Sequence, residues 1–86
     1  MDVAITPQFK RMFKKLEPDL KRETLEKIEH FKLNPKQDQL RAHKLKGRLK
    51  DRYSFSVNYQ IRIIYCYLSS SEVALLAIGG HEIYKD

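Results

Sequence analysis

Between Tyr53 and Asn58 polar and apolar positions alternate: Tyr53, Phe55 and Val57 fall on one side, Ser54, Ser56 and Asn58 on the other. A period of two is that of a strand with one dry face. Nearer the N-terminus the period is helical, since Phe9, Met12, Phe13 and Leu16 recur at i, i+3, i+4 and i+7. Thr6 before Pro7 starts this helix, with a hydroxyl that caps the first turn and a ring that pre-sets its φ. Pro18 ends it, and Asp19 caps a second helix with Leu20, Leu25, Ile28 and Phe31 on its buried face. Lys21, Arg22, Glu23, Glu26, Lys27 and Glu29 take the wet side. Pro35 pushes Asn34 out of the helical region, so "LNPKQDQ" closes the hairpin. "MDVAIT" reads as a first strand. "IRIIYCYL" and "EVALLAIGG", separated by Ser69, Ser70 and Ser71, are apolar at nearly every position and read as central strands buried on both faces. The predicted order is β-α-α-β-β-β, an α+β arrangement with a helical hairpin packed on a mainly antiparallel, twisted four-stranded sheet.

Composition bounds what this scaffold can do. A chain of 86 residues has room for one domain, 1–86, which buries about 60–65% of its unfolded surface. Its 42% hydrophobic content supports a packed core despite 33% charged residues. Seventeen Lys and Arg against eleven Asp and Glu leave a net charge of +6, which favours anionic partners. Cys66 is the one cysteine; a disulfide framework and a thiolate metal cluster are excluded, and the residue reads as a small core side chain of a cytoplasmic protein. The three histidines show no HxxH or HxxxH spacing, so neither a zinc site nor any other metal or cofactor is expected. No secretory leader pattern is present, and no apolar run approaches the roughly 18 residues of a membrane span.

The cationic charge is concentrated. Arg41, Lys44, Lys46, Arg48, Lys50 and Arg52 crowd the twelve positions that lead into the alternating strand. Arg62 begins a strand otherwise built from Ile, Tyr, Cys and Leu, on the side of Ile64 and Cys66. A guanidinium that keeps its charge there needs a partner: Glu72 or Asp51 within the fold, or an external phosphate held bidentately. His81 follows "AIGG" at the end of the last strand, with Tyr84 three residues on, and His43 heads the basic run. Either imidazole can exchange a proton near neutral pH, whereas His30 is placed to complement a helix C-terminus. Basic residues, one fixed positive charge and two imidazoles together describe a phosphate site. RNA brings its own nucleophile, because the 2′-hydroxyl can attack the adjacent phosphorus once one group removes its proton and another protonates the departing 5′-oxygen.

The stretches "LRAHKLKGRLKDRYSFSVNYQIRIIY" and "LLAIGGHEIY" resemble the RelE/ParE superfamily of toxin–antitoxin toxins, and within it the RelE and YafQ-like ribosome-dependent mRNA endonucleases. The resemblance spans nearly the whole chain. It implies a RelE-like fold and a metal-independent endoribonuclease that cleaves mRNA on the ribosome and inhibits translation. Arg62 matches the arginine that acts on the scissile phosphate, His81 the C-terminal catalytic histidine of YafQ-like toxins, and His43 their histidine ahead of the Leu-x-Gly element. Tyr84 lies near the aromatic that orients the nucleotide, one residue closer to the histidine than in YafQ. Arg41, Lys44, Lys46, Arg48, Lys50 and Arg52 are then the RNA grip. Ser54 and Ser56 stand where RelE has two catalytic lysines, so histidine chemistry is expected instead. The implied partners are a cognate antitoxin with an acidic segment, the ribosome and mRNA, and the active toxin is a free monomer. ParE-type members share this fold and inhibit gyrase, so a gyrase-inhibiting toxin, or a non-catalytic relative that only binds antitoxin, is the alternative.

Overall fold

In the computed structural model of the protein, whose described residues are 1–47 and 51–84, Thr6 starts the first helix as its chemistry requires. Its Oγ1 accepts from Phe9 N at 3.1 Å and donates to Leu75 O at 2.7 Å. One hydroxyl thus caps α1 (Pro7–Lys14) and ties it to β5 (Glu72–Gly79), while β1 (Asp2–Ile5) lies parallel to the same strand. The second helix, α2 (Pro18–Leu33), begins differently from expectation. Glu17 occupies the cap position without a side-chain bond, Pro18 is the first helical residue, and Asp19 sits within the first turn. Proline lacks the N–H that this position would leave unpaired, which makes it a better opener than terminator. Asn34 ends α2 in extended geometry, as Pro35 demands.

The buried stripe of α2 runs Leu20, Thr24, Ile28 and Phe31, with Thr24 fully buried and Leu25 54% exposed. Thr24 and not Leu25 continues the i, i+4, i+8 row, so helical geometry overrode hydrophobicity at that step. Phe31 stacks on Phe55 at 4.5 Å between ring centroids and meets Tyr65 edge-on at 4.9 Å. Such pairs add about 0.5–1.5 kcal/mol beyond area burial. Phe9, Leu40, Val57, Ile63, Val73, Leu75 and Ile78 complete the core between helices and sheet.

The sheet has five strands in the order β1-β5-β4-β3-β2, antiparallel except for the β1–β5 pair. Besides β3 (Tyr53–Ser56) and β4 (Arg62–Ser69), the edge strand β2 (His43–Lys44) is one more than the hydropathy pattern predicts. Two residues carry no periodicity; only pairing of His43 with Ser54 and Lys44 with Tyr53 makes them a strand. Both β4 and β5 are central, but two-sided burial of β4 stops halfway, and Tyr67, Leu68 and Ser69 are exposed.

One irregularity in β5 decides where function can sit. Ile64 pairs with Ala77 but Tyr65 with Leu75, leaving Leu76 as an extra residue. The bulge lets both Leu75 and Ile78 reach the core and turns Gly79 to the face away from the helices, opposite Arg62.

Candidate active site

Antiparallel pairing brings the first residue of β4 to the last residue of β5: Arg62 lies between Ser56 of β3 and Gly79 of β5. The chain leaving Gly79 passes Gly80 and winds into a short helical turn, His81–Tyr84, over the face of the sheet away from the helices. A side chain at position 79 would not fit there, because an added Cβ would come within 2.7 Å of both Glu82 Oε1 and Ile83 Cγ2. Gly80 N donates to Glu82 Oε1 at 2.9 Å and fastens the turn from inside.

The two serines of β3 face the same way. Ser54 is fully buried and shares a 3.2 Å hydrogen bond with the Tyr84 hydroxyl. Ser56 Oγ accepts from Arg62 Nη1 at 2.6 Å. Among the described residues the ion pairs are Arg22–Asp19 and Lys32–Glu29, so neither Glu72 nor Asp51 neutralises Arg62. Glu72 pairs with Ser69 at the opposite end of β4. A half-buried guanidinium held by one hydroxyl keeps donors for an incoming anion.

His43 stands on the edge strand beside this end of the sheet. Its Nδ1 lies 2.9 Å from Arg41 O; a carbonyl only accepts, so Nδ1 carries the proton and, in the neutral ring, Nε2 carries the lone pair. Arg41 itself adopts φ 51° and ψ 41°, left-handed geometry at a non-glycine residue. That conformation costs of order 1–2 kcal/mol and occurs where the carbonyl that orients His43 is set.

Arg41, His43, Leu45, Arg62, His81 and Tyr84 line a single open cleft of about 440 Å³. The His81 and Tyr84 rings meet edge-to-face at 6.1 Å. All four residues singled out for catalysis, from three segments of the chain, therefore share one concavity. The basic run is less uniform. Lys44 alternates with His43 and is exposed on the other face of β2, Lys46 is exposed beyond it, and Arg52 lines a separate cleft with Ile64, Ala77 and Ile83. Arg48 and Lys50 lie outside the described residues. Among the described residues no group of three His, Cys, Asp or Glu could hold a metal ion, and no helix is long and apolar enough to cross a membrane.

Sequence reasoning did not assign site roles to Ser54 and Ser56. Their signal was the alternation itself, which puts small hydroxyls on the face that the turn after Gly80 must cover.

The fold has close counterparts among solved structures. The RelBE2 toxin–antitoxin complex of Mycobacterium tuberculosis matches with a TM-score of 0.77 at 18% identity, over 93% of this chain and 96% of that one. YafQ of E. coli matches at 0.76 and 18%, over 99% and 98%. The YoeB/ParE toxin of Agrobacterium tumefaciens matches at 0.75 and 15%, over 94% and 99%. At such identities the likeness is one of fold. No curated protein matches the sequence itself. The family model for the ParE-like toxin of type II bacterial toxin–antitoxin systems matches residues 3–86. With nearly its whole length matched, the chain belongs to the ParE-like toxins of type II bacterial toxin–antitoxin systems.

Proposed function

We propose that this toxin is a metal-independent endoribonuclease that cuts mRNA on the ribosome by promoting attack of a 2′-hydroxyl on the adjacent phosphorus. The observation that carries the reading is the convergence of Arg62, His43, His81 and Tyr84 on one cleft. His43 Nε2 takes the proton from the 2′-hydroxyl, whose oxygen then bonds to phosphorus. The P–O5′ bond breaks, and His81 in its protonated form gives the departing oxygen a proton. The products are a 2′,3′-cyclic phosphate and a free 5′-hydroxyl, and no water enters this step. Arg62 donates to the phosphoryl oxygens as negative charge grows on them, where pre-positioned donors act most strongly. Tyr84, braced by Ser54, packs beside His81 and orients the nucleotide. Each acid or base contributes roughly 10²–10⁴-fold.

The cognate antitoxin binds as an acidic partner over the same cationic surface, drawn by the +6 charge, and release of the monomeric toxin frees the cleft for the ribosome.

Inducing the wild type and His81→Ala in cells and mapping new RNA ends tests the reading. Cuts confined to translated frames, and reduced about 100-fold or more by the substitution, are expected. Intact message with gyrase-linked DNA damage would overturn it in favour of the gyrase-directed alternative.

A further inference from the structure

Arg41 and Arg62 do not only face the catalytic cleft. They also line a second one, of about 330 Å³, on the side toward α2, whose wall includes Glu23, Lys27, Gln39 and Tyr59. The two arginines thus stand between adjoining compartments, and the volume is within the roughly 300–1,000 Å³ of ligand clefts.

The lip of this second cleft is rigid. Val57 N and Asn58 N both donate to Ile61 O, at 2.8 and 3.3 Å, closing the loop between β3 and β4. Asn58 Oδ1 accepts from Gln60 N at 2.8 Å and Ile61 N at 2.9 Å, while its Nδ2 donates to Glu23 Oε1 at 2.8 Å. Every hydrogen-bonding site of that amide but one is used to hold the loop to α2. Tyr59 projects from this loop 91% exposed. An uncovered aromatic ring on an ordered loop, beside two guanidinium groups, stacks a base at little cost in backbone ordering.

The polar groups beneath pair an acceptor with a donor, the Glu23 carboxylate and the Lys27 ammonium. Glu23 Oε2 takes no hydrogen bond among the described residues, and Gln39, with one Nε2 hydrogen on Gln37 Oε1 at 2.6 Å, keeps its carbonyl and its second N–H. A carboxylate beside an ammonium suits a base edge on which donors adjoin an acceptor. Guanine offers N1–H and N2–H₂ side by side for the carboxylate, with O6 next to them for a donor, whereas uracil presents a single N–H and so makes one bond fewer to Glu23.

We infer that this second cleft is a base-reading subsite: it takes the base next to the scissile phosphate, stacked on Tyr59 and read by Glu23 and Gln39 in favour of guanine, with its phosphate on Arg41 and Arg62. The inference rests on the endonuclease reading for the position of the phosphate, but binding is measurable without cleavage. Titration of the His81→Ala protein with guanosine 3′-monophosphate and uridine 3′-monophosphate, followed by NMR of the tyrosine rings and backbone amides, is the test. Guanosine 3′-monophosphate is expected to shift Tyr59, Asn58 and Glu23 and to bind several-fold tighter than the uridine analogue. Tyr59→Ala should weaken binding by about fivefold or more and Tyr59→Phe restore it, because the ring and not the hydroxyl stacks. Glu23→Gln should bring the two nucleotides to near-equal affinity. Equal affinity in the unsubstituted cleft, or shifts confined to His43 and Tyr84, would overturn the subsite. In cells, unchanged cut sites in Tyr59→Ala and Glu23→Gln beside an active wild type would also overturn it, whereas an inactive wild type with guanosine-selective shifts overturns only the endonuclease.

Discussion

Tyr65 is buried to 1% exposure beside Tyr53 and Tyr67, and its phenol is held well above the ordinary range, first by burial and then by the two neighbouring hydroxyls. The direction sets a pH dependence. Below the unfolded value of about 10 both states keep the proton. Above it the unfolded chain ionises while the folded one does not, so stability present at neutral pH is lost as pH rises toward the folded value, by up to about 1.4 kcal/mol per pH unit. Denaturant titrations of wild type and Tyr65→Phe between pH 8 and 11 check this. The variant should start about 1 kcal/mol less stable, having lost the polar interactions of its hydroxyl, and the gap should close or invert at the alkaline end. A gap that widens would contradict the assignment. Tyr65 was legible as a core strand residue. Thr24 was not, because a threonine in place of a leucine breaks the hydrophobic signal even where helical phase requires that position to be buried.

Elements show the same division. Both helices, four of the five strands and the terminating role of Pro35 follow from sequence pattern and local sterics, which act over a few residues. The edge strand β2 and the bulge at Leu76 do not, since each exists only through pairing with another strand. Yet these two features position the site: β2 carries His43, and the bulge turns Gly79 toward Arg62. The His81–Tyr84 turn depends on Gly79 in particular. Gly79→Ala forces Ile83 and the Glu82 carboxylate aside, moving His81 and Tyr84 relative to Arg62. A displacement of about 1 Å costs on the order of 100-fold in rate, while the core beneath is untouched. Cleavage should therefore fall about 100-fold with a thermal midpoint within a few degrees of wild type. Equal activity would show that the turn is compliant.

For the whole molecule, charge and topology act together. On the endonuclease reading, the net +6 draws RNA from any direction, and the cleft orders it only at one end of the sheet. Lys44 and Lys46 are exposed outside that cleft, so they contribute attraction without orientation. Replacing both with alanine should weaken single-stranded RNA binding at low salt and flatten the slope of log affinity against log salt by about 0.7 per cation removed, with cut sites unchanged. An unchanged slope would remove them from the grip. The sequence by itself determined the layered α+β plan, the dry faces and the stock of reactive side chains, because strand and helix periods and the chemistry of Arg, His and Tyr are properties of short stretches. Which of those side chains meet was decided only by the tertiary structure. Positions 43, 62 and 81 are far apart along the chain, and the register of an antiparallel sheet, shifted by one bulged residue, is what places them at one cleft while sending Arg52 to another.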